Sequence, residues 1–234
     1  MHQFILPTAL VALVVAAPAA AAERSFELSG FTEVAAGSGL DVEIVQGDRF
    51  EVVAEGTPRD LRRLEISKRA NRLVIEQEVR GLQRFSPLMM ALADKVLVRV
   101  TLPELEAVKA AAGSDVSAEG SASGAFEAEV SSGADLTLSG IDADVVTLTA
   151  SSGADLEAEG RCGQLGVEAS SGSNLDARDL ACESASARAS SGADIEITAE
   201  TARAEAQSGA NVEVWGAESV EAEEHSGGDV RVRN

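Results

Sequence analysis

The segment Ser131–Leu136, SSGADL, decides how this chain folds, because it returns. It recurs as SSGADL at Ser151, SSGSNL at Ser170 and SSGADI at Ser190. Looser copies are QSGANV at Gln207 and HSGGDV at His225, and AAGSDV at Ala111 begins the series. The glycines of these copies, Gly113, Gly133, Gly153, Gly172, Gly192, Gly209 and Gly227, stand 20, 20, 19, 20, 17 and 18 residues apart. A period this constant marks stacked supersecondary units.

Around each glycine the apolar residues keep fixed offsets. Three positions after it come Val116, Leu136, Leu156, Leu175, Ile195, Val212 and Val230. Five before it come Val108, Ala128, Leu148, Val167, Ala187, Ala204 and Ala222. The positions between are mostly polar, as in Glu127, Glu129, Thr137, Glu157 and Glu168. This is period-2 alternation on both sides of a corner, so each unit is two short strands. A second turn, such as SGIDAD after Leu138, would close the unit. Strands this short cannot bury a face alone, and stacking equivalent strands in parallel solves that. The predicted fold is all-β, a single-stranded, right-handed parallel β-helix with 17–20 residues per rung. Six steps at ~4.8 Å would rise roughly 29 Å. Many inward positions are Ala, so the interior should be narrow.

The less regular part precedes this array. Residues 23–107 carry short alternating runs, including LEISKRANRLVIEQEV, which reads as two strands around a turn. An insertion at 80–95, RGLQRFSPLMMALADK, breaks the alternation with Phe85, Leu88, Met89, Met90 and Leu92. Those residues read as a cover for an open end of the stack, with a partner or membrane contact as the other reading. Residues 1–22 read as a signal peptide, an apolar run followed by small residues, with cleavage placed near Ala22–Glu23. The n-region carries only His2 and the amino terminus, so an uncleaved anchor is the other reading of that segment. The remainder, 23–234, reads as one β-helical domain exported to the periplasm, the outer-membrane surface or the medium.

Charge and composition exclude several functions. With 19 Lys and Arg against 39 Asp and Glu, the net charge is −20. Nucleic-acid binding needs clustered cations and is not expected. After signal removal nothing reads as a membrane span, so an integral membrane protein is not expected either.

The repeat itself holds the candidate chemistry. The corner glycines read as positive-φ positions, with Ser132 and its equivalents as a hydroxyl ladder beside them. Asp115, Asp135, Asp155, Asn174, Asp194, Asn211 and Asp229 share one offset and would form a column. Neighbouring carboxylates ~4.8 Å apart repel by roughly 1 kcal/mol in a water-like medium. Local bonds from backbone N–H groups in Asx-type turns could offset this. The alternative is a row of Ca²⁺ sites at Asp115, Asp135, Asp155, Asp194 and Asp229, because a hard cation prefers oxygen ligands. No other cofactor is implied. Cys162 and Cys182 each lie ten residues before the next corner glycine, on the same site of adjacent units. Their stacking places them within disulfide reach, and two buried free thiols are the other reading. Trp215 takes an outward position and is a candidate surface contact for a sugar or protein. His225 is the one histidine beyond the signal, and no nucleophile–base set or phosphate loop accompanies it. No catalytic residues are expected.

An early GSGLDVEIVQG, a later VRVTLPELEAV with its GSDV corner, and the serial SSGADL units together resemble the head GIN domain family. The resemblance covers about residues 26–230. It implies a parallel β-helix of the bacterial envelope with an adhesin-like role and no established catalytic residues. The chain stops at HSGGDVRVRN, without the further aromatic and glycine-proline segment common in the family. The expectation is therefore an exported, non-enzymatic binding module whose partner is a glycan or a protein. A periplasmic structural or sensory module is the alternative, and a polysaccharide-active enzyme the next.

Overall fold

The computed structural model describes residues 22–78 and 96–233. The signal-peptide segment up to residue 21 and the insertion at 80–95 lie outside the described residues. In chain order the elements are β1 (Ala22–Ser25), β2 (Glu33–Ala36), β3 (Asp41–Gln46), β4 (Glu51–Gly56), α1 (Pro58–Leu61), β5 (Leu64–Arg69) and β6 (Arg72–Gln77). Then come β7 (Leu97–Leu102), β8 (Ala107–Ala111), β9 (Asp115–Glu119), β10 (Ala125–Ser131), β11 (Asp135–Ser151), β12 (Asp155–Ser170), β13 (Asn174–Ser190) and β14 (Asp194–Gln207). The last are β15 (Asn211–Trp215), β16 (Ser219–His225) and β17 (Asp229–Arg233). Together they form a β-solenoid of parallel stacked strands, as the repeat predicts.

Each rung has two faces meeting at the SSGAD corner. On the first face β8, β10, the second halves of β11 to β14, and β16 pair in parallel. On the second face β9, the first halves of β11 to β14, β15 and β17 do the same. Residues at one offset are register partners, for example Leu136 with Leu156 and Leu148 with Val167. Their side chains form one continuous buried core from Phe31 to Val214. The expected second turn differs. It is a bend inside a long strand, where the register slips between Leu138 and Ile141, between Glu157 and Gly160, and between Ala177 and Ala181. The ladder therefore continues around that side, and changes in rung length of one to three residues are absorbed there.

The amino-terminal part joins the same stack out of order. β2 lies between β6 and β8, and β3 lies between β7 and β9, all in parallel. The rung made by β6 and β7 therefore sits beyond the rung made by β2 and β3. Antiparallel strands finish that end: β5 pairs with β6, β4 with β7, and β1 with β4. The short helix α1 starts at a cap, where the Thr57 hydroxyl accepts the Asp60 N–H at 3.2 Å and Pro58 takes the first helical position.

Candidate functional site

The corner is built by two successive left-handed residues. Ser132 and Gly133 have φ of 59° and 64°, and the same pairing recurs at each copy, from Ala112–Gly113 to Ser226–Gly227. Two such residues make the mirror-image tight turn, which a glycine favours at its second position. Where the turn bond closes, the residue after glycine donates to the carbonyl three before it, as Ala193 does to Ser190 at 3.3 Å. The serine at positive φ was not foreseen, and its side chain points to solvent rather than into the corner. The hydroxyls that tie down the corner backbone belong to Ser114 and Ser173, one place after the glycine. Ser173 Oγ accepts the Ser170 N–H at 3.1 Å and donates to Ala150 O, one rung away, at 3.0 Å. Elsewhere this buried place holds Ala134, Ala154, Ala193 and Ala210. Small size is what the inside of the corner demands.

Next to the corner runs the acidic column. Register places Asp115, Asp135, Asp155, Asn174, Asp194, Asn211 and Asp229 in one line, and adds Asp41 before them. Their backbone N–H groups continue the rung-to-rung ladder, as Asp135 does to Ser114 O at 2.9 Å and Asp229 to Ala210 O at 3.0 Å. Asn211 relieves repulsion directly, its Nδ2 donating to Asp194 Oδ1 at 2.7 Å. At the far end Arg231 pairs with Asp229 at 2.5 Å. An Asx-type bond does form on the same face, at Asp176 rather than in the column, where Oδ1 accepts the Arg178 N–H at 3.1 Å. Among the described residues no three His, Cys, Asp or Glu side chains converge to hold a metal ion. With one carboxylate or amide per rung, the column presents a line of oxygen ligands and charge along the stack.

The outward faces carry ladders of ion pairs. Lys109 bridges to Glu129 at 2.5 Å, Arg188 to Glu205 at 2.9 Å and Arg203 to Glu223 at 2.6 Å, each across adjacent rungs. Arg178 takes Asp176 at 2.5 Å and Glu196 at 3.0 Å. Its guanidinium holds the Asp176 carboxyl below the ordinary carboxylate value, chiefly through their hydrogen bond. A depressed carboxylate stabilises the fold above its unfolded pKa of ~3.9, and that contribution is lost as pH falls through the lower folded value. Arg178→Gln should therefore lower stability slightly at pH 7. The gap to the parent chain should shrink at a pH well below ~3.9. Urea midpoints at the two pH values check this, and an undiminished gap in acid would contradict it.

The remaining candidates are dispersed. Cys162 and Cys182 are register partners on β12 and β13, both buried, and the structure joins them by a disulfide with Cα atoms 4.6 Å apart. Trp215 is half-buried at the end of β15, between Thr198 and Arg233 in register, and its indole N–H is buried without an acceptor among the described residues. His225 is exposed, with Glu223 at 4.0 Å. Two shallow clefts of about 360 and 420 Å³ open on the surface, the larger rimmed by Glu33, Glu104, Glu106 and Glu127. Neither contains His225 or the acidic column. What the arrangement offers chemically is an extended, regular, anionic surface.

A family model described as "Putative auto-transporter adhesin, head GIN domain" matches residues 30–217. Among solved structures, one of a "putative adhesin" from Bacteroides fragilis superposes with a TM-score of 0.80 at 14% identity, covering 91% of this chain and 97% of that one. A "putative lipid binding protein" from Parabacteroides distasonis gives 0.68 at 11% identity, covering 92% and 97%. A "putative adhesin" from Parabacteroides merdae gives 0.66 at 12%, covering 92% and 96%. At such identities these likenesses establish the fold alone. No curated protein matches the chain.

Proposed function

We propose an adhesin-like binding role for this chain, which belongs to the head GIN domain family. In this reading it is an exported, non-enzymatic β-solenoid of the bacterial envelope, and residues 1–22 are removed on export. The partner is a glycan or a protein outside the cytoplasm. The observation that carries it is the line of Asp and Asn side chains with flanking ion-pair ladders, repeated rung after rung on a rigid scaffold. Such a surface suits multipoint attachment, where many weak contacts add along a stiff rod. Among the described residues no helix is long and apolar enough to cross a membrane.

The test has two arms. Protease treatment of intact cells should cleave the chain if it stands on the surface, with a periplasmic marker left intact. The purified chain should bind envelope extracts or a glycan array saturably, with calcium or with chelator. Protection of the chain in intact cells together with no binding would overturn the adhesin reading and leave a periplasmic structural role.

A further inference from the structure

The last described rung departs from the repeat at two places, and both bear on its outer side. Three residues before the corner glycine, the earlier copies hold Ala110, Val130, Ala150, Ala169, Ala189 and Ala206, all buried in the core. The last copy holds Glu224 there, the register partner of Ala206. One residue after the glycine, the earlier copies hold Ala or Ser, and the last holds Gly228.

Each departure has a geometric result. Glu224 leaves the strand at an inward position, and its carboxylate accepts the Val230 N–H at 2.9 Å. The Asp229 N–H goes to Ala210 O of the rung before. Consecutive N–H groups of a strand point to opposite neighbours, so that of Val230 points away from the stack. Among the described residues β16 pairs only with β14, and β17 only with β15. Glu224 thus takes a donor that a further strand would need. At Gly228 an added Cβ would stand 2.2 Å from Ala206 O and 2.7 Å from Gln207 N. No side chain fits there, although Ala210 carries one at the same place one rung earlier, fully buried. The Gly228 N–H closes its turn on His225 O at 3.0 Å, against 3.3 Å for Ala210 on Gln207 O. The last corner has folded down onto the rung before it.

Nothing else covers the core at this end. Val232 is the register partner of fully buried Val214, yet it is 49% exposed. Val220 and Val230 are only partly buried. An open apolar rung with two free strand edges is a template for a second copy of the chain. We propose that Glu224 and Gly228 are a built-in stop that keeps a second copy from continuing the solenoid here. A strand added at this end would have to take the Val230 N–H from the carboxylate. It would then bury that carboxylate unpaired against the Ala206 layer, which is costly. The stop withholds the open end from association and leaves the outward faces as the surfaces for binding. It does not depend on the adhesin reading.

Sedimentation velocity of the exported chain and two variants, across a range of concentrations, tests this. E224A/G228A gives the last copy the residues of the copies before it. Its new side chain at position 228 fits only if the corner rises to the place that Ala210 holds in its own rung. This variant should associate at concentrations at least about tenfold below any at which the parent does. Adding V232E sets an acid at a different inward position of the same end. The triple variant should return to a monomer, which a merely misfolded chain would not do. An E224A/G228A chain no more associated than the parent would overturn the proposal, as would association that survives V232E. Glycan or envelope binding by the monomeric parent bears on the adhesin role alone, so the two readings fail separately.

Discussion

Gly160→Ala should destabilise this protein more than substitution of a repeat glycine, although Gly160 lies outside every SSGADL copy. Its φ is 139°, a region that side chains rarely enter. An added Cβ would stand 2.2 Å from Ile141 O and 2.7 Å from Ile141 N. Both atoms are backbone of the neighbouring rung, at the place where the register slips between β11 and β12. Neither can move without breaking the ladder. Backbone strain of ~1–3 kcal/mol plus the clash gives a loss of about 3 kcal/mol or more. For a chain of this size that lowers Tm by roughly 6–12 °C. Gly133 also has positive φ, but an added Cβ there meets nothing within 4 Å. Gly133→Ala should cost only the left-handed penalty, about 1–2 kcal/mol. Urea and thermal unfolding of the two variants decide the matter. Equal losses would show that the register slip is not a point of constraint.

Removal of the disulfide should have the next largest effect. Cys162 and Cys182 are 20 residues apart in sequence and adjacent in the stack. Closing a loop of that length restricts the unfolded chain by about 3 kcal/mol in the entropy model. The rung it holds has small inward side chains. Leu165 lies opposite Ala185 and Val167 opposite Ala187, so inward side chains shrink from one rung to the next. The C162S/C182S chain should therefore lose roughly 3 kcal/mol, and the oxidised parent should fall to a similar value with reductant. Alkylation without reductant, followed by mass measurement, must find no labelled thiol in the parent chain. Two labelled cysteines would remove the premise.

The regular part of this fold was legible because its evidence is redundant. The constant glycine spacing and the constant apolar offsets independently demanded parallel stacking, and the register partners are the residues of equal offset. The same offsets placed the Asp and Asn column and brought the two cysteines together. Three features escaped. Alternation tells which side chains point inward but not which strands are neighbours, so nothing revealed that β6 and β7 lie beyond β2 and β3. Asp41 belongs to the column, and the GSGLD segment before it is a corner like the others, but its distance from Gly113 hid it from the repeat. The ion-pair ladders depend on which outward residues become neighbours, and Arg188 with Glu205 or Arg203 with Glu223 could be paired only once the register was known. The helix start at Thr57-Pro58, with Asp60 as its partner, was also missed among the alternating runs of residues 23–107.

The out-of-order first rung sets the order in which the molecule can assemble. β2 pairs with β6 on one edge and β8 on the other, so Glu33 must wait for Ala107 before its second edge can pair. Beyond β9 each strand pairs with one about a single rung behind it in the chain. A chain leaving a translocation channel amino end first could pair β2 with β6 and β3 with β7, but could join them to the regular stack only when β8 and β9 emerge. The later rungs would add in sequence, as a zipper does. Closing that first long loop is the slow entropic step. Substitutions in β2 or β8 should therefore slow folding, whereas those in β15 or β16 should chiefly speed unfolding.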